Sequence, residues 1–332
     1  MERGWRPAAA FDTLAGMTSR GRPTWPELPA ALRDAVEARL GARVVRWASH
    51  DGGYSQGMAS TLDTTDASAF VKAVGAEHEF TQQMYRTEAA KAAALPDSVP
   101  APRFRWLLDE DLGDAGRWVA VAFDAVAGRP PKVPWSDGEL QLALRLARQI
   151  GEVEPLHGAL PDYSTDHAFG EWDELADRHP PGLASYGPWV AGNIERLASV
   201  ASDWRAATAG AQLVHADLRG DNMLVIDRGR AGPAALAVDW PFAARGAGLI
   251  DVVAMLPAVR LEGGPPPADV LARHPLGPQV DPDAVTCYLA ALTGFFVHRS
   301  LEPEPPGIPH VRGFQRAQAE VCIPWLRHRL GE

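Results

Sequence analysis

Two short apolar runs, MLVI at 223–226 and ALAV at 235–238, flank the turn-forming stretch DRGRAGPA. Runs of this length bounded by Gly, Pro and Asp read as the strands of a hairpin. Setting Ile226 against Ala235 brings Asn222 opposite Asp239, 17 positions later. Opposed residues of an antiparallel pair have Cα atoms about 4.5–5.5 Å apart. An amide oxygen and a carboxylate then project from one end of the ribbon. Such a pair suits a hard divalent cation that completes its shell with water and phosphate oxygens. The chain enters this hairpin through VHADLRGDN, residues 214–222. On a helix, Asp217 and Asn222 would point about 140° apart. They converge only if 217–222 is a loop, which Gly220 and the density of Asp and Asn favour. A solvated surface turn accounts for that density too, but not for the return of VDW at a distance compatible with pairing.

Elsewhere helical and strand periods alternate up to residue 123 and helical periods follow. TWPELPAALRDAVEARLG, 24–41, reads as a helix capped by Thr24, with Leu32, Val36 and Leu40 on one face. RVVRWA, GMASTL and AFVKAV read as three strands, Glu77 to Leu95 as a helix stopped by Pro96, and WVAVAF at 118–123 as a further strand. After DAVAGRPP at 124–131 helices dominate, over about 137–153, 169–178, 184–209, 250–257, 281–298 and 310–330. The pattern predicts an α+β chain of two lobes. An extension, 1–25, precedes a small antiparallel-sheet lobe with one inserted helix, 26–126. A hinge at 124–128 leads to a larger, mainly helical lobe, 129–332.

Net charge is −10, a poor balance for wrapping nucleic acid, which needs Lys and Arg to displace counterions. It fits a cationic or metal-complexed ligand, or simple solubility. Cys287 and Cys322 give neither a disulfide framework nor metal-ligand spacing, and no run reaches the ~18 apolar residues of a membrane span. The expectation is a cytoplasmic protein with no nucleic-acid or membrane partner.

Two features of the sheet lobe carry chemistry. DGGYSQG at 51–57 joins two strands, and Gly52, Gly53 and Gly57 allow close approach of main chain to a ligand. Lys72 lies inside an apolar strand, on the face shared by Phe70 and Val74. Burying it requires a partner. Glu88, on a helical stripe with Phe80 and Met84, supplies one, and Glu77 competes from nearly the same stripe.

Taken together these parts resemble the aminoglycoside phosphotransferase family, small-molecule kinases related in fold to protein kinases. HADLRGDN is similar to its H-x-D-x-x-x-x-N catalytic loop, VDW to its metal-binding aspartate, FVKAV to its phosphate-contacting lysine strand, and YRTEAAKAAAL to the helix bearing the lysine's partner. GGYSQG resembles its nucleotide-positioning loop and FDAVAGRPP its hinge. The resemblance spans roughly 27–330 and departs at Ala216, where the family often has Gly. It implies γ-phosphoryl transfer from ATP or GTP to a hydroxyl of a small acceptor. Asp217 would accept or orient the proton, and Asn222 and Asp239 would hold Mg2+. Lys72, fixed by Glu88, would contact the phosphates, with Gly53 and main-chain groups near Ser55 covering them. The Asp124 carbonyl and Val126 N–H would meet the base. Asp251 would brace the catalytic loop. His215 has two readings, holding the loop or acid–base work, and Asp217 already fills the second role.

The acceptor is less defined. The stretch 161–180 holds Asp162, Asp166, Glu171, Asp173, Glu174 and Asp177 against one Arg178. It reads either as an ammonium-binding surface, as in the resembling family, or as a solvated helix face. Trp172, Trp189, Trp204 and Trp240 could line a pocket for a flatter acceptor or belong to the core. The implied acceptors are an aminoglycoside or another cationic, nucleoside or peptide antibiotic. A choline-like or sugar metabolite, or nucleotide binding without turnover, is the alternative. Asp239 and Asp251 are only 12 residues apart, too few for a protein kinase's activation segment.

Overall fold

The computed structural model describes residues 22–50, 56–153, 160–305 and 310–332. The chain is α+β and divides into two compact units. One holds residues 22–130 together with Asp221–Phe242; the other holds Pro131–Gly220 and Ala243–Glu332. The hairpin therefore belongs by contact to the sheet unit, although its sequence position had assigned it to the helical lobe. The reason is local. Arg129 and Val225 exchange main-chain hydrogen bonds, and the Ala237 N–H donates to the Pro100 carbonyl.

The sheet unit is built on five antiparallel strands: β1 (Arg46–Ser49), β2 (Met58–Asp63), β3 (Ser68–Gly75), β4 (Phe104–Asp111) and β5 (Arg117–Asp124). Their order is β1-β2-β3-β5-β4. Helices α1 (Ala30–Leu40) and α2 (Glu79–Ala93) accompany them. β5 is buried along nearly its whole length because its two faces serve two cores. Trp118, Ala120 and Ala122 join a core with Leu32 and Val36 of α1. Val119, Val121 and Phe123 join one with Tyr85 and Ala89 of α2. The two-residue strand period divides these two sets.

β4 was not legible in the sequence. A bulge between Phe104 and Trp106 shifts its register, so Phe104 packs with the α2 core while Trp106 and Leu108 pack with the α1 core. The extra residue breaks the alternation by which a strand is recognised. Thr24 also differs from expectation. Its main-chain N–H and its hydroxyl both donate to Glu27, closing a one-turn 3-10 helix, and α1 starts later, after Pro29.

The second unit is mainly helical. It comprises α3 (Asp137–Gly151), α4 (Tyr163–Asp166), α5 (Glu171–Arg178), α6 (Pro188–Gly192), α7 (Ile194–Ala201), α8 (Trp204–Thr208), α9 (Leu249–Leu261), α10 (Pro267–Arg273), α11 (Pro282–Ser300) and α12 (Val311–Arg329). Strands β6 (Gln212–Val214) and β9 (Ala244–Gly246) pair within it. The expected single helix over 184–209 is three short ones. Gly187 takes φ +89°, and the Asn193 side chain donates to the Trp189 carbonyl where α6 ends. No helix among the described residues is long and apolar enough to cross a membrane.

Candidate active site

The residues singled out from the sequence meet in two constellations, one in each unit. In the sheet unit Lys72 stands on β3, on the face shared with Phe70 and Val74 that looks toward α2. Its ammonium lies 2.8 and 2.9 Å from the two Glu88 oxygens and 2.9 Å from Asp239 Oδ1. Tyr85 and Phe123 rings lie 5.8 and 6.0 Å from it. Flanking carboxylates hold the Lys72 ammonium charged despite its burial. Burial, opposed by Lys72 and aided by the nearby Asp239 charge, pushes the Glu88 carboxyl up to about 7.

The stripe that buries Glu88 is Thr81, Tyr85, Glu88 and Ala92. Phe80 was expected there but is 67% exposed. It sits one residue, about 100° of rotation, from Thr81 on the helix. Glu77 is exposed on a 3-10 turn before α2, within 3.9 Å of His78.

Strands β7 (Met223–Asp227) and β8 (Pro233–Ala237) form the expected hairpin, but one residue out of the expected register. Met223 pairs with Ala237 and Asp227 with Pro233, leaving a five-residue connection, 228–232. Asn222 therefore faces Val238 rather than Asp239, and its carbonyl accepts the Val238 N–H at 3.0 Å. A one-residue slip normally sends a side chain to the opposite face. Asp239 adopts φ +69°, the left-handed region, instead of continuing the strand. The next N–H, from Trp240, donates to Glu88. Asp239 is thus held between two main-chain anchors, with its carboxylate on Lys72. Asn222 is buried at the entrance to β7.

In the helical unit, Asp251 near the start of α9 is buried, and its two oxygens accept the His215 and Ala216 N–H groups, each at 2.8 Å. Burial raises its carboxyl above the ordinary range. The His215 ring is fully buried, and its Nδ1 accepts the Asp217 N–H at 3.3 Å, an arrangement that holds the loop. Ala216 takes φ +65°. A methyl side chain is strained there and Gly is not. A Cβ on Gly220 would lie 3.1 Å from Glu262 Oε2 and 3.2 Å from the Trp135 ring.

Sequence reasoning missed Arg219. Its Nε lies 3.2 Å from Asp217 Oδ1, and its guanidinium sits 5.6 Å from the Phe314 ring centre at the start of α12. Its place two residues after Asp217 was the available signal.

Gly53 and Ser55 lie outside the described residues, as does Gly52. Gly57 is described: a Cβ there would stand 2.3 Å from the Ala73 carbonyl oxygen, so only Gly fits. Asp124 ends β5, with its carboxylate 2.7 Å from Arg105 Nε. Val126 is half-buried two residues beyond.

The acidic stretch behaves differently. Asp162 pairs with Arg245 at 2.6 Å, Glu174 with His298 at 3.2 Å, and Glu171 is buried against the Gly170 N–H. Asp173 and Asp177 lie exposed on the outer face of α5. Trp172, Trp204 and Trp240 are core residues.

Among the described residues no group of three or more His, Cys, Asp or Glu side chains could hold a metal alone. The donor set fits a cation bound jointly with a ligand. Asn222 and Asp239 offer one amide and one carboxylate as oxygen donors, and the Asp239 carboxylate is paired with the Lys72 ammonium.

No protein-family model and no curated protein matches the sequence. Solved structures do match. Spectinomycin phosphotransferase APH(9)-Ia, in complex with ADP and spectinomycin, aligns at 13% identity over 90% of this chain and 98% of that one, with a TM-score of 0.54. The GDP and kanamycin complex of APH(2")-IIia aligns at 16% identity over 91% and 99%, at 0.56. The choline kinase LicA from Streptococcus pneumoniae aligns at 14% over 90% and 98%, at 0.52. This likeness is one of fold, and the chain has the two-lobed, kinase-like fold of the aminoglycoside phosphotransferases.

Proposed function

We propose that this chain is a small-molecule kinase, transferring the γ-phosphoryl group of ATP or GTP to a hydroxyl of a cationic acceptor. One observation carries the reading. Lys72, Glu88 and Asp239, from three separate segments, share one ion cluster, although Lys72 and Asp239 are 167 positions apart. A structural ion pair needs two residues. A second carboxylate, anchored on both sides in a left-handed conformation, is the arrangement expected where phosphates and their counter-ion are bound.

Phosphoryl transfer depends chiefly on positioning and charge neutralisation. Asn222 and Asp239 would hold Mg2+, which supplies charge neutralisation on the phosphates when bound. Lys72 contacts the phosphates, and Gly53 and main-chain groups near Ser55 cover them. The Asp124 carbonyl and Val126 N–H meet the base. Asp217 orients the acceptor hydroxyl and takes its proton as the new oxygen–phosphorus bond forms and the β–γ bridging bond breaks. Arg219 fixes the Asp217 carboxylate, and His215 and Asp251 fix the loop beneath it.

For the acceptor, the structural neighbours named for spectinomycin, kanamycin and choline share one chemistry: hydroxyl groups on a molecule that carries amino or ammonium nitrogen. A net charge of −10 suits such a ligand. An antibiotic of this kind is the first class to test, and a choline-like amino alcohol the second. The test is a panel of cationic, nucleoside and peptide antibiotics and amino alcohols with Mg2+ and ATP or GTP, read by a mass gain of one phosphate. Wild type should modify a member of the panel and Asp217→Ala none. Nucleotide binding by both proteins, with no transfer by wild type to any acceptor, would make the chain a nucleotide-binding protein without turnover.

A further inference from the structure

The loop that carries Asp217 is held at its start by Asp251, through the His215 and Ala216 N–H groups. Its far end, Gly220, meets two side chains that the sequence did not single out. The Trp135 indole N–H donates to Glu262 Oε2 at 2.6 Å, and the Trp135 main-chain N–H donates to the Glu262 carbonyl at 3.3 Å. Both residues press on Gly220. A Cβ there would stand 3.1 Å from Glu262 Oε2 and 3.2 Å from Trp135 Cζ2, tighter than ordinary van der Waals contact.

Gly220 is not among the described glycines with positive φ, so its backbone does not call for glycine. What the position needs is the missing side chain, which lets the loop lie against the Trp135–Glu262 pair. Glu262 is also an odd choice for its helix. It is the C-cap of α9, where a carboxylate opposes the helix dipole. Asp251 stands near the opposite end of α9, 11 positions earlier, which is about 16 Å of helical rise. One helix therefore meets the loop on both sides of Asp217, and buried Trp135 completes the far contact. Arg219 is the residue before Gly220, and its Nε lies 3.2 Å from Asp217 Oδ1. A shift at Gly220 carries the Arg219 guanidinium with it, and so the carboxylate that the guanidinium holds.

We propose that Trp135 and Glu262 form a clamp on Gly220 and are positioning residues for Asp217, acting through Arg219. The clamp rests on the kinase reading above and adds to it two residues outside the loop that set the geometry of transfer.

The test measures ADP formed from ATP with Mg2+, with water as the acceptor, together with hydrogen–deuterium exchange of the peptide covering 214–224. Glu262→Ala removes the acceptor of the indole N–H and one wall of the contact. Its kcat should fall roughly tenfold while the KM for ATP stays within about twofold, because a misplaced loop costs rate rather than affinity. The loop amides should exchange roughly tenfold faster than in wild type. Glu262→Gln keeps an oxygen for the indole N–H and should recover kcat to within about threefold of wild type. Gly220→Ala leaves the clamp's own hydrogen bonds in place and should lower kcat by roughly tenfold through crowding. It decides the matter should Glu262→Ala fail to fold by circular dichroism. Unchanged kcat in Glu262→Ala or in Gly220→Ala overturns the clamp. So does a Glu262→Gln variant as slow as Glu262→Ala, which would make the charge, not the hydrogen bond, the active element. A KM for ATP that rises as far as kcat falls also overturns it, since a general loosening of the fold would then account for both. A wild type that turns over no ATP, with water or with any acceptor of the panel, sinks the kinase reading instead. In that event unchanged loop exchange in Glu262→Ala sinks the clamp separately.

Discussion

Two groups of carboxylates stand out in this chain, and the structure treats them in opposite ways. Residues 161–180 carry six acidic side chains, yet these scatter. Asp162 and Glu174 pair with basic residues from other segments, Glu171 turns to main chain, and Asp173 and Asp177 face outward. The four acidic residues of the other group, Glu88, Asp217, Asp239 and Asp251, are spread over more than 160 positions, yet each is tied to a loop, a lysine or an arginine. Density of charge along the sequence therefore does not by itself bring carboxylates together. The second group differs in that two of its carboxylates, on Glu88 and Asp239, share one lysine, and a third, on Asp251, takes both of its hydrogen bonds from one loop. Asp251 receives two N–H groups, Glu88 receives one, and Asp239 is fixed on either side.

The contrast can be broken by substitution. The largest effect belongs to Asp217→Asn, which keeps the shape of the loop and removes the proposed proton acceptor. Phosphate transfer to any accepted substrate should fall by about 10²–10⁴-fold with nucleotide affinity nearly unchanged, measured by transfer kinetics and fluorescent-nucleotide titration. Parallel loss of nucleotide affinity would mean that Asp217 is a binding group. Next comes Asp251→Ala. It strips the acceptor from two N–H groups, and each buried unsatisfied group costs about 1–3 kcal/mol. Denaturant melts should show a loss of at least ~2 kcal/mol, and a loss below ~1 kcal/mol would remove Asp251 as the brace of the loop.

Smaller effects sharpen the comparison. Ala216→Gly relieves a left-handed alanine but loosens the unfolded chain, and should raise stability by up to about 1 kcal/mol. A clear loss would show that the methyl group packs. The double change Asp173→Asn/Asp177→Asn should move stability by no more than about 0.5 kcal/mol. It should also leave the KM of a cationic acceptor within about twofold, since exposed charges are screened. A tenfold rise in that KM would return the acidic stretch to the site.

Much of this arrangement was legible in advance. The Lys72–Glu88 pair follows from a two-residue period on β3, a helical period on α2 and the cost of burying a lone charge. The loop character of 215–222 follows from Gly and Asp chemistry. Other features were hidden for specific reasons. β4 was masked by its bulge. The stripe of α2 was misphased at Phe80 because two four-residue steps drift about 80° around a helix. The hairpin register slipped because the connection has five residues, a number fixed by turn geometry rather than by the apolar pattern.

By itself the sequence determined which residue types lie on which faces, because side-chain period and the penalty on unpaired charge act over a few residues. Only the tertiary structure decided which of the many acidic groups reach the lysine and which stay in solvent. Convergence across 167 positions depends on main-chain anchors such as Val238 on Asn222 and Trp240 on Glu88, and those hydrogen bonds form only once strands and helices have packed.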